Sequence, residues 1–586
     1  MNLTSPRPVV SQGLIIGLIG QIFLMGFILV SAGVQNGALT FTLFDDAMVT
    51  MTYAKTLVET GEFVWFEGAP KVQGITTLAW AFYMAGIHLL GFEGSAAALI
   101  VSLTSAGLIG MISNEVRKLV LRLSHVGQKQ LVANCAAISI FLLYPLVFWS
   151  LRGFEVGLLA LLLVVFIKLL TDVVSGARGT PTSLLVKIFA VVALGIAVRT
   201  DFIVPALAAA LPLILSRELL GKYRRTVIVL LVAIAFSISL VFAFQFAVWG
   251  DVLPNTYYLK LDNASFIDRA QRGVLSSLKL APFLLIAFLA WALIKRSPRA
   301  PEQTYVANAV GASALAAFSY SVYVGGDVWE QFGFANRFFT IALPLIILLA
   351  ALAYEGSLTL PKLRSLKLGY IWLLPSSAFL VGFGTNPVSF SLPMVLVTLT
   401  GLSVVGLVYG AVYKFQSAQS AAILILLGPA IIFSSSVPLT LDILSGNVQY
   451  TSADLRMKEL GEDIKSLTSQ DASVAIVWAG SIAYYTERKS IDLLGKSDRV
   501  IARESTPPIP PGFWNSDFYP GHNKYNLSYS VGQLRPDVVA QTLQIPGELT
   551  LLESWGYNSY CTKSMHRIYV LDTSSRVNRD ALLSCP

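Results

Sequence analysis

The sequence predicts a polytopic α-helical membrane protein: about 13 membrane crossings, followed by a smaller soluble α/β domain. Three observations carry this. Hydrophobic residues make up 55% of the 586-residue chain and only 13% are charged, whereas a soluble chain carries about 25% charged residues. Apolar runs long enough to cross a bilayer recur down to Val437, and Lys and Arg cluster between them, which is the positive-inside pattern. Beyond Leu439 the long apolar runs stop and charges rise, leaving roughly 150 residues, enough for one small domain. The chain therefore divides into 1–438 and 439–586. Mean hydropathy is +0.67, and the net charge of +8 reads as loop charge facing the cytoplasm, not as a nucleic-acid footprint.

The first run, Gly13–Val34, reads as a retained membrane helix with its N-terminus in the cytoplasm. An external loop from Thr40 to Thr77 follows. It opens on Phe44-Asp45-Asp46-Ala47, two carboxylates at the membrane edge, where charges are costly and usually paired or functional. Either Asp could cap the next helix. Met48, Met51, Ala54 and Val58 recur at helical spacing and suggest an amphipathic helix on the membrane surface.

The basic loops set the remaining crossings. Ser95–Ser113 leads in to Arg117, Lys118, Arg122 and Lys129, provided that Leu78–Leu90 does not cross. Leu131–Trp149 leads out to Arg152 and Glu155, and Gly157–Leu170 returns. Ser183–Val198 and Phe202–Leu215 are short and flank Arg199-Thr200-Asp201, so they suggest a hairpin with its tip below the outer surface. Thr226–Trp249 leads out to a polar loop ending near Lys260, and Ala281–Ile294 returns to Lys295-Arg296. Tyr305–Val324 exits at Gly325-Gly326-Asp327, and Phe338–Ala353 re-enters after Arg337. Leu368–Phe383, Leu392–Tyr413 and Ala421–Val437 complete the set, so the C-terminal domain lies outside, on the periplasmic or extracellular face of the plasma (inner) membrane. There, Val474–Trp478 and Ile491–Leu494 read as strands, Gly480-Ser481 opens a short helix through Tyr485, and Pro507–Pro511 marks a loop.

Cys135 lies in an apolar run and reads as a small core residue. Cys561 and Cys585 lie in the tail, where an oxidising compartment would allow a disulfide. The four histidines show no metal-ligand spacing.

This topology collects Asp45, Asp46, Arg152, Glu155, Arg199, Asp201, Lys260, Asp327 and Arg337 at one membrane face. A carboxylate can deprotonate an acceptor hydroxyl, and guanidinium groups bind a phosphate leaving group. The simpler alternative is that Arg152–Glu155, Arg199–Asp201 and Asp327–Arg337 are local ion pairs.

The run Phe44 to Ala54, with Gly61 to Trp65 and Gln73-Gly74-Ile75-Thr76-Thr77-Leu78-Ala79-Trp80, resembles the first external loop of the GT-C membrane glycosyltransferases. The arabinofuranosyltransferase B type is the nearest group. The resemblance extends to Gly153-Phe154-Glu155, Gly325-Gly326-Asp327, Arg337-Phe338, Ile491 to Gly495, Asp498-Arg499 and Gly521-His522-Asn523-Lys524, and so covers most of the chain. It implies a polyprenyl-phosphate-linked sugar donor, used on the outer face, and a cell-envelope polysaccharide or protein as acceptor. It implies that Asp45 and Asp46 supply the catalytic base, with a divalent metal (Mg, Mn or Ca) as an optional companion. Arg337, Arg199, Arg152 and Lys260 would bind the donor phosphate. Glu155, Asp201, Asp327, Gln73, Thr76, His522 and Lys524 would support them. One departure is Gln73, where the family often has an acid. A transporter or flippase of a lipid-linked substrate is the competing class. Such proteins often show internal repeats, and the sequence shows none. A membrane scaffold, which would need no convergence of charges, is a third.

Overall fold

The structure is a computed structural model. It describes residues 11–35, 37–124, 129–176, 180–262, 264–277, 280–296, 300–329, 336–358, 442–444, 446, 448–505 and 518–585. The first helix, α1 (Gln12–Val30), starts where the Ser11 side chain accepts the Leu14 amide. A hairpin follows, β1 (Ala32–Gln35) against β2 (Ala38–Phe41). Next come α2 (Asp45–Thr60), α3 (Leu78–Leu89), α4 (Gly94–Leu123), α5 (Lys129–Phe141), α6 (Tyr144–Leu151) and α7 (Val156–Ser175). The chain continues through α8 (Thr182–Val198), α9 (Ile203–Leu215), α10 (Arg217–Lys222), α11 (Arg224–Trp249), α12 (Asn255–Lys260) and α13 (Phe266–Ser277). The helical part ends with α14 (Ala281–Arg296), α15 (Pro301–Val324), α16 (Arg337–Thr340) and α17 (Leu343–Leu358).

Among the described residues, α1, α4, α7 and α11 are long and apolar enough to cross a membrane, and α5 with α6, bent by 47°, makes a fifth candidate. The expected spans Leu368–Phe383, Leu392–Tyr413 and Ala421–Val437 lie outside the described residues, as does Pro507–Pro511. The described helices do not by themselves reach about 13 crossings. Helix α3 has 12 residues, about 18 Å of helix, too short for a hydrocarbon core of about 30 Å. Helices α8 and α9 are short, as expected, and a single helical turn at Thr200–Phe202 joins them.

Helix α4 is longer than expected. Arg117, Lys118 and Arg122 ride on its last turns, because Lys and Arg are good helix formers, and they do not form a loop. They find partners there: Arg117 donates to Asn134 at 2.9 Å, and Arg122 pairs with Asp172 near the end of α7. This basic end of the bundle also holds the start of α15, where Gln303 reaches the Leu123 carbonyl. Cys135 is exposed, not a core residue as its apolar setting suggested. Hydropathy alone cannot separate the outward face of a spanning helix from its packed face.

Residues 446–585 carry a five-stranded sheet in the order β4-β3-β5-β7-β6. Strand β3 (Ser473–Ile476) is parallel to β4 (Lys489–Asp492) and to β5 (Val538–Val539). The last pair, β6 (Tyr557–Cys561) and β7 (Arg567–Leu571), is antiparallel. Helices α18 (Thr451–Leu467), α19 (Ser481–Thr486), α20 (Arg499–Ala502) and α21 (Glu548–Ser554) accompany it. Alternation along the strands splits the core. Val474, Ile476, Val538, Ile568 and Val570 pack on α18, α19 and α2, while Ala475, Val539 and Leu571 pack with Leu493, Val531 and Leu552 on the other face. Cys561 and Cys585 form a disulfide.

Helix α2 does not lie on a surface. Met48, Met51 and Ala54 face the helical bundle, and Val49 and Tyr53 face the sheet. Eleven of its 16 residues are buried. The apolar stripe packs on the bundle, but the opposite side is covered by the C-terminal sheet, which the periodicity of α2 cannot reveal.

Candidate functional site

A cavity of about 120 Å³ lies where α2, α7, α8, α12, the 325–329 turn, α16 and the segment after β4 converge. A single water needs only about 10–15 Å³ by this measure, so the space suits a larger polar group. Asp46, Glu155, Arg199, Lys260, Asp327, Arg337, Lys496 and His522 line it, with Thr76 and the aromatic rings of Trp80, Phe154, Trp329 and Phe338.

The two acids of the opening motif part company. Phe44 is the N-cap of α2 and makes no side-chain capping bond, so Asp45 and Asp46 occupy the first turn, where the helix dipole favours negative charge. Neighbours on a helix point about 100° apart. Asp45 turns towards the sheet and accepts the amides of Gly480 (3.3 Å) and Ser481 (2.8 Å). It therefore caps α19, not its own helix, and lies outside the cavity lining. Gly480 is required here: a Cβ would sit 1.9 Å from the Asp45 carbonyl oxygen. Burial pushes the Asp45 carboxyl up to about 6, although Lys496 and the two amides pull it down.

Asp46 faces the cavity. Its Oδ1 takes the Lys496 ammonium, and its Oδ2 lies 3.2 Å from Arg337 Nη1. Burial opposes ionisation, but Lys496 and Arg337 together hold the carboxyl well below the ordinary carboxylate range.

Arg337 is fixed from several sides. Asn336 caps α16 by accepting the Phe338 and Phe339 amides, both at 3.0 Å, and donates to Ser321 at 2.7 Å. The guanidinium forks onto Asp327 through Nε (2.6 Å) and Nη2 (2.8 Å), and stacks 4.7 Å from the Phe154 ring centre and 5.2 Å from that of Trp149. Asp327 follows two glycines with positive φ, +86° and +78°, a turn that residues with a Cβ rarely adopt. Burial opposes the charge on Asp327, and Arg337 more than offsets it, so its pKa is lowered.

Arg199, at the C-terminal end of α8, is held by Glu155 (2.5 Å) and Asp201 (2.6 Å). Lys260 has no carboxylate within ion-pair distance among the described residues. Its ammonium lies 5.8 Å from the Phe338 ring centre, and burial, then the nearby Arg337, pushes its pKa down to about 8. His522 packs edge-on to Trp329 at 6.0 Å. Burial, reinforced by Lys496, lowers its pKa to about 4, so its ring is neutral at neutral pH.

Besides Asp45, four expected site residues lie elsewhere. Arg152 is fully buried, paired with Asp454 of α18, with Nη1 near the carbonyls of Thr42 (3.3 Å) and Ser31 (3.5 Å) on either side of the β1–β2 hairpin. Lys524 is also buried, and its ammonium donates to the carbonyls of Tyr258, Asp262 and Ala502. Both cations join the helical part to the C-terminal part and do not face the cavity. Asp201 touches the cavity only through Arg199. Gln73 lies just outside the lining. Its backbone carbonyl accepts the Asn255 amide at 2.9 Å, and its buried Oε1 has no partner among the described residues.

Lys496 is a site residue that the sequence does not single out, its one signal being its place between the two tail motifs Ile491 to Gly495 and Asp498-Arg499. Asn255 places it, reaching the carbonyls of Gly495, Lys496 and Asp498 at 2.8–3.1 Å. The donor set does not suit a divalent metal. Both Asp46 oxygens face cations, both Asp45 oxygens face amides, and no cluster of three or more His, Cys, Asp or Glu able to hold an ion occurs among the described residues.

Comparison with known proteins bears on the fold. A family model described as "Domain of unknown function (DUF8728)" matches residues 446–575. No curated protein matches the sequence. Among solved structures, ArnT from Cupriavidus metallidurans bound to undecaprenyl phosphate is similar over 96% of this chain and 98% of its own, at 12% identity and a TM-score of 0.53. Its apo form gives 95%, 96%, 11% and 0.53. The archaeal oligosaccharyltransferase AglB from Archaeoglobus fulgidus gives 96%, 74%, 12% and 0.47. The chain has the fold that the ArnT structures display.

Proposed function

We propose that this chain is a glycosyltransferase that moves a sugar from a polyprenyl-phosphate donor to an acceptor hydroxyl at the outer face of the membrane. The observation that carries the reading is the meeting of Asp46, Arg337, Lys496 and Lys260 in one cavity, brought from four distant parts of the chain. A structure of the same fold binds undecaprenyl phosphate, which supports a lipid-phosphate donor. The sequence resemblance favours arabinofuranose as the sugar and a cell-envelope glycan or protein as the acceptor.

In this reading the acceptor oxygen attacks the anomeric carbon and the bond to the lipid phosphate breaks, inverting the centre. Asp46 takes the hydroxyl proton. Its two cations hold it ionised in the free protein but also make it a weak base. A donor phosphate that draws Arg337 and Lys496 to itself restores the basicity of Asp46 at the moment it is needed. Arg337, Lys496 and Lys260 stabilise the charge that develops on the leaving phosphate. The same lipid phosphate needs no strong general acid, which suits a neutral His522. No step passes through a metal.

The sheet-bearing part then lies outside the membrane as an α/β domain, and the basic end of the bundle, with Arg117 and Arg122, lies in the cytoplasm. The test is incubation of purified protein in lipid nanodiscs with polyprenyl phosphate carrying radiolabelled arabinofuranose. Release of label from the lipid, with polyprenyl phosphate as co-product, supports the reading. Transbilayer movement of an intact lipid, without cleavage, would replace it with the flippase.

A further inference from the structure

A second depression opens at the C-terminal ends of the parallel strands β3 and β5, lined by Trp478, Gln541, Thr542, Gln544, Arg567 and Tyr569, and encloses about 270 Å³. In open α/β sheets the crevice beyond the carboxyl ends of parallel strands is where ligands bind. Three features mark this crevice as built. Gln541 Oε1 accepts the amides of Val477 (3.0 Å) and Trp478 (2.8 Å), which fixes the loop carrying the indole. Gln544 holds a left-handed backbone, φ +60°, uncommon for a residue with a side chain, and is exposed at the rim. Trp478 is in ring contact with Trp329 at 6.2 Å and with Tyr450 at 6.5 Å, and Trp329 itself lines the catalytic cavity. Trp478 is therefore in ring contact with the wall of the cavity.

We propose that this crevice is a glycan-binding subsite, which holds the acceptor oligosaccharide several units away from the hydroxyl that reacts. The name "acceptor" rests on the glycosyltransferase reading, but the binding of glycan does not. The chemistry of the lining selects the class. Flat indole and phenol faces suit the C–H faces of sugar rings. Gln541 is taken up by the two amides and by Met457, whereas the carboxamide of Gln544 and the guanidinium of Arg567 stand at the rim as planar hydrogen-bonding groups matched to vicinal hydroxyls. No carboxylate lines the crevice, so nothing in it pairs with basic side chains of a peptide. The crevice lies at strand ends and not along a sheet edge, so an extended peptide finds no row of free backbone groups on which to add as a strand.

The test uses full-length protein in nanodiscs and fluorescently end-labelled neutral oligosaccharides, one series of pentofuranoses and one of hexopyranoses. Labelled polyprenyl monophosphate serves as an independent probe of the cavity. Gln544→Gly and Arg567→Ala change exposed side chains, and glycine suits the left-handed backbone. Each should weaken oligosaccharide binding by about tenfold with unchanged polyprenyl-phosphate binding, and Gln544→Gly should do so with unchanged thermal stability. Trp478→Phe should weaken it less than Trp478→Ala. Failure of both series to bind protein that does bind polyprenyl phosphate overturns the subsite and leaves the glycosyltransferase reading standing. Oligosaccharide binding that ignores the Gln544 and Arg567 substitutions also overturns it. Oligosaccharide binding that responds to them upholds the subsite, even where polyprenyl phosphate fails to bind and the transferase reading falls.

Discussion

Arg152 offers a test that separates structure from catalysis. Its guanidinium and the Asp454 carboxylate are both fully buried and paired. Replacing Arg152 with Met leaves a carboxylate with no counter-charge and takes a donor from the Thr42 and Ser31 carbonyls. Breaking one side of a buried pair costs about 3–5 kcal/mol, a large share of a total stability of about 5–15 kcal/mol. Burial pushes Asp454 up to about 7 against the pull of Arg152. A folded-state pKa above the unfolded one makes stability fall as pH rises towards 7. In Arg152→Met the pull is gone and the folded-state pKa climbs further, so the deficit against wild type widens as pH rises above 7 and narrows in acid. Thermal unfolding in detergent across this pH range measures both effects. The double variant Arg152→Met, Asp454→Leu should regain most of the loss, because an apolar pair can replace an ionic one. An Arg152→Met protein of normal stability but weak polyprenyl-phosphate binding would refute this account and return Arg152 to the donor site.

Three further outcomes follow from the cavity and the tail. Lys260, pushed down to about 8, loses its proton as pH rises, so polyprenyl-phosphate affinity should fall above pH 8. Lys260→Arg should flatten that profile, and Lys260→Met should cost about 1.5–3 kcal/mol of binding, roughly tenfold to a hundredfold. Arg337→Lys keeps the charge but loses the fork onto Asp327 and the stacking on Phe154, and turnover should fall by about tenfold or more. Mass spectrometry of unreduced protein should find one reactive thiol, Cys135, and Cys585→Ser should cost about 2–4 kcal/mol of stability in the C-terminal part.

Sequence made legible what is written in runs and at their ends. The apolar segments, the composition change near Leu439 and the strands around Val474 and Ile491 all follow local patterns. The same is true of the convergence of Asp46, Arg199, Lys260 and Arg337, because charges at the same ends of successive helices must meet at one face. What could not be read depends on rotation and on partners far along the chain. Asp45 and Asp46 look equivalent in sequence, and only the position of the sheet decides which faces the cavity. Arg152 and Arg199 occupy similar places at helix ends, yet Arg152 meets Asp454, about 300 residues away. Lys496 carries no local signal beyond standing between two motifs. Helix α2 shows one apolar stripe and nothing that announces a second covering layer.

The most direct measurement of the central claim is turnover of polyprenyl-phosphate-linked sugar by Asp46→Asn beside Asp45→Asn, each in protein of verified thermal stability. Asn at position 46 keeps the shape but cannot take the acceptor's proton, so transfer should be abolished while polyprenyl phosphate still binds. Asn at position 45 can still accept one of the two α19 amides, so it should cost less turnover than Asn at position 46. Near-normal turnover by Asp46→Asn would contradict the account, whatever Asp45→Asn does.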